Sequence, residues 1–192
     1  LTTGILRSSF ANQGQVCLAG SRIYVQDTVY DKFVSMIVEK AKTQVKIGDP
    51  LDPDTTMGSL VSHGHRDRVE SYIQSAIEEG GKIEIGGKRP DPESLPERVR
   101  KGAFLEPTII TGVTEEAKCQ CEEIFGPVVT ISRFSTEEEI IAKANNTEYG
   151  LSASLWTTNV RRAHRISEVI EAGVIWVNTW FLRDLRTPFG GM

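Results

Sequence analysis

Hydrophobic and polar residues follow two different periods along this chain. Residues 21–26 alternate and are rich in β-branched and aromatic side chains, which predicts a strand. The next segment predicts a helix that Asp27 or Thr28 can cap. Its apolar face consists of Phe33, Ile37, Val38 and Ala41. Because segments of these two kinds alternate through the sequence, the pattern favours an α/β fold.

The rest of the chain divides into further elements in the same way. Helices are predicted over residues 2–12, 62–79 and 159–171, and one more begins near Ser135. Strands are predicted over residues 82–85, 104–110, 128–134, 152–156 and 174–178. The proline-rich residues 86–101 are predicted to form a mobile surface loop. No repeat or linker interrupts the pattern, so we predict a single domain over residues 1–192.

Composition limits the classes of function. The 192 residues are 39% hydrophobic and 25% charged, as in soluble globular proteins. The net charge is −4 and no long block of like charges occurs, which argues against nucleic acid or an anionic membrane as a partner. No apolar run reaches the roughly 18 residues of a membrane span, and the first residues do not resemble a signal peptide.

Cysteine usage points to a reducing compartment, and we expect a cytoplasmic protein. The three cysteines are an odd number without disulfide or zinc spacing. Cys119 and Cys121 lack a second Cys or His pair, and His63 with His65 lacks further ligands, so no metal site is predicted. Trp156 and Trp176 are predicted to lie in the core.

Cys17 is the candidate nucleophile. A lone cysteine is more often a small core hydrophobe than a catalyst, so its flanks have to decide. It lies in the segment Phe-Ala-Asn-Gln-Gly-Gln-Val-Cys-Leu-Ala-Gly-Ser-Arg, residues 10–22. Gly14 allows a tight turn beneath the thiol, and small residues after it leave room for a substrate. A thiolate is a suitable nucleophile for a carbonyl carbon once its proton is removed.

Two more segments complete a pattern. Glu-Glu-Ile-Phe-Gly-Pro occupies residues 122–127, and Gly-Val-Ile-Trp-Val-Asn at 173–178 leads to Thr-Pro-Phe-Gly-Gly at 187–191. With the cysteine segment, these three ordered signatures resemble those of the aldehyde dehydrogenase superfamily over nearly the whole chain. The resemblance implies a three-layer α/β/α catalytic domain with a Rossmann-like, mostly parallel sheet. It also implies an NAD(P)-dependent enzyme, NAD or NADP being open.

The resemblance assigns roles to individual residues. Cys17 would attack an aldehyde to give a thiohemiacetal and then a thioester that water hydrolyses, with its own backbone N–H as an oxyanion donor. Glu123 would accept hydrogen bonds from the nicotinamide ribose, and Phe125 would pack on that ribose or ring. His65 and Arg68, at i and i+3, would reach the cofactor's adenosine ribose. Members usually place Gln and Lys there, so a solvated helix face is an equal alternative.

The segment 179–189 carries the signal for substrate preference. It resembles the loop of the 2-aminomuconic and 2-hydroxymuconic semialdehyde dehydrogenases, which act in tryptophan or aromatic catabolism. Arg183, with Arg186 as second choice, would bind a substrate carboxylate remote from the aldehyde. The plain alternative is a surface ion pair between Arg183 and Asp184. The substrate wall would also include Val16, Leu18, Asn178 and Phe189.

Parts of the family's machinery are expected outside these residues. They are the glutamate base, an asparagine oxyanion donor, the cofactor-binding domain and a C-terminal strand that joins subunits. We therefore expect a homo-oligomeric parent protein and a chain that does not oxidise aldehydes by itself. The alternatives are a less specific fatty or aromatic aldehyde dehydrogenase, a thiol esterase, or a non-catalytic assembly domain.

Overall fold

The computed structural model describes residues 2–192, which form six α-helices and six strands. The helices are α1 Thr2–Phe10, α2 Asp27–Gln44, α3 His63–Glu78, α4 Lys118–Cys121, α5 Glu137–Asn145 and α6 Val160–Val169. The strands are β1 Arg22–Gln26, β2 Lys82–Ile85, β3 Thr108–Thr111, β4 Val128–Phe134, β5 Ser152–Leu155 and β6 Val174–Val177. A left-handed turn covers Ala11–Gly14, and short 3-10 turns cover Pro92–Ser94 and Glu97–Val99.

The strands form two sheets. The larger has the order β1-β4-β3-β2, with β1, β4 and β3 parallel and β2 antiparallel at the edge. The smaller consists of parallel β5 and β6. The predicted α/β class with a mostly parallel sheet is therefore confirmed. The division into two sheets was not predicted, because strand periodicity does not say which strands pair.

Two apolar clusters lie on opposite faces of the larger sheet. Ile109 of β3 packs into one cluster with α1 and α2, and the next residue, Ile110, packs into the other with α3. The same alternation occurs in β4, where Val129 and Val128 belong to different clusters. Since successive strand residues point to opposite faces, both faces of this sheet are covered by helices. This arrangement gives the predicted α/β/α layers.

Polar caps fix the beginnings of several helices. Ser62 accepts a hydrogen bond from the His65 N–H at 3.1 Å, and Thr136 and Asn159 cap α5 and α6 in the same way. The predicted cap of α2 is wrong. That helix begins at Asp27 itself, after an N-cap Gln26 that makes no side-chain hydrogen bond. The Asp27 carboxylate instead accepts from the adjacent Thr28 N–H.

Two further predictions are corrected by the structure. The strand predicted over 104–110 is shorter, because Pro107 lacks an N–H for the ladder and pairing starts at Thr108. The predicted surface loop 86–101 is partly anchored: the Leu95 side chain is buried, and Arg98 Nε donates to Asp49 at 2.7 Å. Trp176 is buried and Trp156 packs on the first cluster, as predicted. Within residues 2–192, no helix is long and apolar enough to cross a membrane.

Candidate active site

The Cys17 turn is built by a run of left-handed backbone after α1. Asn12, Gln13 and Gly14 have φ values of 50°, 59° and 68°. The Ala19 N–H then closes a turn on the Val16 carbonyl at 2.8 Å, and the Gly20 N–H bonds to Ser8 of α1 at 3.1 Å. Asparagine and glycine tolerate this conformation well, which explains their place before the cysteine. The turn leaves Cys17 exposed.

The backbone N–H of Cys17 is available for a ligand. Among residues 2–192, no carbonyl or side-chain oxygen accepts a hydrogen bond from it, whereas the N–H groups of Ala19, Gly20 and Ser21 all have partners. A free N–H beside a nucleophile is suited to an oxygen that gains negative charge when the carbonyl is attacked.

The Glu123–Pro127 loop lies between α4 and β4. Ile124 is buried and anchors it, while Glu123 is exposed and Phe125 is 37% exposed. Phe125 is also left-handed, with φ 58°. After the buried Pro127, β4 begins at Val128. The loop therefore presents a carboxylate and an aromatic ring on either side of one buried residue.

A backbone contact joins the loop to the cysteine turn. A Cβ atom built on Gly14 would lie 2.1 Å from the carbonyl oxygen of Gly126. Only a residue without a Cβ allows this approach. The two sequence signatures, which are more than 100 positions apart, are thus packed directly against each other.

Both signatures line one cavity of about 870 Å³. Near Cys17, the wall of the cavity includes Val16, Cys17, Glu123, Phe125 and Tyr149. Its sides are residues 21–26 and 150–157, which contain the edge strands β1 and β5. The cavity therefore runs from the cysteine turn along the gap between the two sheets.

The closing loop, residues 179–189, is attached next to Cys17. The Trp180 indole Nε1–H donates to the Leu18 carbonyl at 2.8 Å, and its ring stacks on Phe181 with centroids 5.0 Å apart. Further along, the Arg183 guanidinium lies 4.6 Å from the centre of the Phe189 ring. The loop is thus hydrogen-bonded to the residue that follows the candidate nucleophile.

Comparison with known proteins decides the family. Residues 1–192 match the Aldehyde dehydrogenase family, so the match includes the Cys17 turn, the 122–127 loop and the closing loop. The chain belongs to the aldehyde dehydrogenase family.

Named relatives and solved structures agree with this assignment. The chain is 48% identical to 2-hydroxymuconic semialdehyde dehydrogenase of Pseudomonas putida over 98% of its length, and 46% identical to 2-aminomuconic semialdehyde dehydrogenase of Homo sapiens over 97%. It covers 38% of each. Betaine aldehyde dehydrogenase of Staphylococcus aureus in complex with NAD+ superposes with TM-score 0.94 at 38% identity, over 100% of this chain and 37% of that one. PnpE in complex with nicotinamide adenine dinucleotide gives 0.93 at 44%, over 100% and 38%.

The chain thus spans less than two fifths of the length of these aldehyde dehydrogenases. Within it, the structure gives His65 and Arg68 partners inside the protein. His65 Nε2 lies 2.7 Å from the Phe125 carbonyl oxygen, and Arg68 Nη2 donates to the Tyr72 hydroxyl at 3.3 Å. That hydroxyl donates to the Glu122 carboxylate at 2.7 Å and raises the pKa of Arg68. Both residues thus have hydrogen-bond partners beside the loop, and their predicted contact with the adenosine ribose stays a prediction.

Three predicted substrate contacts lie differently from expectation. The Leu18 side chain is 3% exposed and packs inside, and its carbonyl accepts the hydrogen bond from Trp180. Asn178 is left-handed, with φ 57°, and its side-chain amide bonds both backbone groups of Thr157 at 2.8 and 2.9 Å. It thereby joins the ends of β5 and β6. Arg186 pairs with Asp184, with Nε–Oδ1 at 2.9 Å, where an Arg183–Asp184 pair was the alternative.

Arg183 is consequently the arginine of this loop without a carboxylate partner among residues 2–192. Phe189 is 47% exposed and Val16 lines the cavity, so both are accessible to a ligand. Tyr149 was not predicted as a site residue. Its hydroxyl accepts a hydrogen bond from the Glu123 N–H at 3.2 Å. A single tyrosine before Gly150 gives no local signal for a contact 26 positions away.

The three thiols are expected to differ in alkylation by iodoacetamide at about pH 8. Burial, and to a smaller extent the charge of Glu79, raises the pKa of Cys119 to about 11, and the residue is 3% exposed. Cys17 and Cys121 are exposed. Peptide mass spectrometry should find Cys17 and Cys121 modified in the native protein and Cys119 only after unfolding. Equal labelling of Cys119 before unfolding would contradict its burial.

Proposed function

We propose that these residues form the nucleophile-bearing part of an NAD-dependent aldehyde dehydrogenase that oxidises an aldehyde to a carboxylate. The proposal rests on one observation: an exposed cysteine with a free backbone N–H shares a cavity with an exposed carboxylate and an exposed aromatic ring. Membership of the aldehyde dehydrogenase family supports this reading of the arrangement.

In the proposed reaction, the Cys17 sulfur bonds to the aldehyde carbon and the carbonyl π electrons move to oxygen. The resulting oxyanion accepts a hydrogen bond from the Cys17 N–H. Hydrolysis of the later Cys17 thioester by water releases the carboxylate and returns the thiol. Among residues 2–192 no carboxylate or imidazole is hydrogen-bonded to the Cys17 thiol. We therefore expect the base to come from elsewhere in the whole protein.

The 122–127 loop fits the nicotinamide end of a cofactor. The Glu123 carboxylate is exposed at the cavity wall and has no hydrogen-bond partner among residues 2–192. Its two acceptor oxygens are therefore free for ribose hydroxyls. The exposed Phe125 ring offers an apolar surface beside it. A bound nicotinamide would supply the acceptor for the hydride that the thiohemiacetal carbon loses. His65 would hold this loop through the Phe125 carbonyl, and Arg68 would hold it through Tyr72 and Glu122. NAD is proposed because the two structures above were solved with it, and NADP stays open.

For the substrate we propose a muconic semialdehyde, an aldehyde with a remote carboxylate. The Arg183 guanidinium rests on an aromatic ring and is not paired with an acidic side chain among residues 2–192. An unpaired guanidinium can bind a carboxylate through two parallel hydrogen bonds. The relatives named for 2-hydroxymuconic and 2-aminomuconic semialdehydes support this choice, and with it a role in tryptophan or aromatic catabolism. Arg186 is second choice, since Asp184 already occupies it.

Replacing Arg183 by alanine in the full-length protein is expected to remove the preference for the acidic aldehyde. The measurement is NADH formation with a muconic semialdehyde and with a chain-length-matched aldehyde that lacks the carboxylate. We expect kcat/KM for the semialdehyde to fall about 10- to 150-fold, which corresponds to ~1.5–3 kcal/mol for a hydrogen-bonded charged group. The rate with the neutral aldehyde should change little.

Arg186→Ala is the matched control, because it removes an arginine of the same loop that is bound to Asp184. It should retain the preference. Equal rates of the wild type with both aldehydes would exclude a carboxylate site and favour a less specific fatty or aromatic aldehyde dehydrogenase.

We further propose that the whole protein is a cytoplasmic homo-oligomer.

A further inference from the structure

The loop that carries Glu123 and Phe125 is held in a strained shape. Phe125 has φ 58° although it has a bulky side chain, and its ring is 37% exposed. A non-glycine residue in this region costs on the order of 1–3 kcal/mol and persists only where its surroundings impose it. Contacts with the surrounding residues must therefore hold the loop in this shape.

We propose that Tyr149 and His65 are positioning residues, which hold the Glu123–Phe125 loop in the shape that presents its carboxylate and ring to a nicotinamide cofactor. This inference rests on the proposed function and deepens it. Neither residue needs to touch the reacting atoms. Each acts through a backbone group of the loop.

His65 fixes the end of the loop. Its Nε2 lies 2.7 Å from the Phe125 carbonyl oxygen, and its ring meets the Phe125 ring edge-on with centroids 6.5 Å apart. A carbonyl oxygen only accepts, so the hydrogen is on Nε2. That N–H exists in both the neutral and the charged imidazole, and an amide N–H from glutamine can replace it. His65 itself is held at the start of α3, where its N–H bonds to the Ser62 hydroxyl.

Tyr149 fixes the beginning of the loop. Its hydroxyl accepts the Glu123 N–H at 3.2 Å, and its own N–H bonds to the Thr147 hydroxyl at 3.2 Å. Tyr149 precedes β5 in the smaller sheet, whereas the loop leads into β4 of the larger sheet. The contact thus joins the two sheets at the cavity wall.

The carboxylate of Glu122, unlike that of Glu123, has a hydrogen-bond partner within the protein. Glu122 accepts from the buried Tyr72 at 2.7 Å and is tied to α3. Together these contacts fix the backbone and the side chain before Glu123, while the Glu123 carboxylate keeps no protein partner among residues 2–192. A loop with a fixed backbone and one free carboxylate is preorganised for a ligand.

The test measures the dissociation constant of NAD+ by calorimetry on the full-length protein, together with KM for the aldehyde. Tyr149→Phe removes one hydroxyl, and His65→Leu removes the N–H. We expect each to raise the dissociation constant about 5- to 20-fold, the effect of one lost hydrogen bond, and to change KM for the aldehyde less than about twofold. His65→Gln should restore most of the affinity.

Hydrogen exchange gives a second readout that is independent of activity. The Glu123 amide should exchange faster in Tyr149→Phe than in the wild type, since its acceptor is gone. Tyr30→Phe and His164→Leu are the controls. Tyr30 does not line the cavity and loses a hydroxyl bond to the Ile131 carbonyl at 3.0 Å, and His164 is exposed on α6, so neither should change NAD+ affinity or that amide.

The outcomes separate the two proposals. If Glu123→Gln weakens NAD+ binding but Tyr149→Phe and His65→Leu do not, the positioning role is wrong and the proposed function stands. If the wild type does not bind NAD+, or Glu123→Gln binds as tightly as the wild type, the cofactor site itself is wrong and the positioning role falls with it. A His65→Gln variant as weak as His65→Leu would also overturn the role assigned to Nε2.

Discussion

Replacing Cys17 with alanine in the full-length protein is expected to abolish aldehyde oxidation, with kcat falling about 10⁴-fold or more. The thiol forms the bond to the substrate in the proposed reaction, and among residues 2–192 no other cysteine lines the cavity. NADH formation at saturating aldehyde measures the loss. In addition, rapid acid quenching of the wild type during turnover should trap an acyl group on the peptide that contains Cys17.

Cys121→Ala is the matched control. Cys121 is also an exposed cysteine, but its Sγ is 3.2 Å from the Glu115 carbonyl and it does not line the cavity. This variant should retain wild-type kinetics and the trapped acyl group. Residual activity of Cys17→Ala above about one tenth of the wild type would exclude Cys17 as the nucleophile.

Gly14→Ala is expected to destabilise the protein by about 3 kcal/mol or more. Gly14 has φ +68°, and its new Cβ would stand 2.1 Å from the Gly126 carbonyl oxygen. The carbonyl oxygen belongs to the backbone and the Cβ is bonded directly to it, so no flexible side chain can move aside to relieve the clash. The cysteine turn or the 122–127 loop must shift instead. Denaturant unfolding of the full-length protein measures the free energy, and any folded variant should also lose NAD+ affinity.

Gly64→Ala provides the comparison. This glycine lies in the first turn of α3 and does not need a positive φ. A Cβ atom added to it would meet no neighbouring group within 4 Å among residues 2–192. Alanine favours helix by up to about 1 kcal/mol over glycine, so the variant should be as stable as the wild type or slightly more stable. Similar losses for both variants would mean that the Gly14–Gly126 contact is not what destabilises Gly14→Ala.

Local pattern predicted the parts of the fold that depend on local chemistry. The bounds of β4 and β2 agree with the residues predicted, since a proline or a glycine directly precedes each strand. The helix α3 begins after Ser62, whose hydroxyl caps it as helix-start chemistry requires. The family resemblance, which depends on three short segments, also named the residues that line the cavity at Cys17, Glu123 and Phe125.

Contacts between distant positions were not predictable in this way. The Tyr149–Glu123 and His65–Phe125 bonds join residues 26 and 60 positions apart, and neither side chain has a special neighbour in sequence. The partner of Asp184 was uncertain for another reason: two arginines flank it on an exposed loop, and only the local turn geometry selects Arg186. Site roles for all these residues stay predictions until tested.

The Trp180–Leu18 bond ties the start of the closing loop to the residue after Cys17. The Leu182 carbonyl accepts a hydrogen bond from the Trp176 indole at 2.9 Å, while the Leu182 and Leu185 side chains are 74% and 88% exposed. If the proposed function holds, substitutions of Leu182 and Leu185 would alter which aldehyde is accepted without moving the Cys17 thiol, whereas a change at Trp180 would alter both together. Evolution or engineering of new substrate preferences is thus expected to succeed at Leu182 and Leu185 and to fail at Trp180.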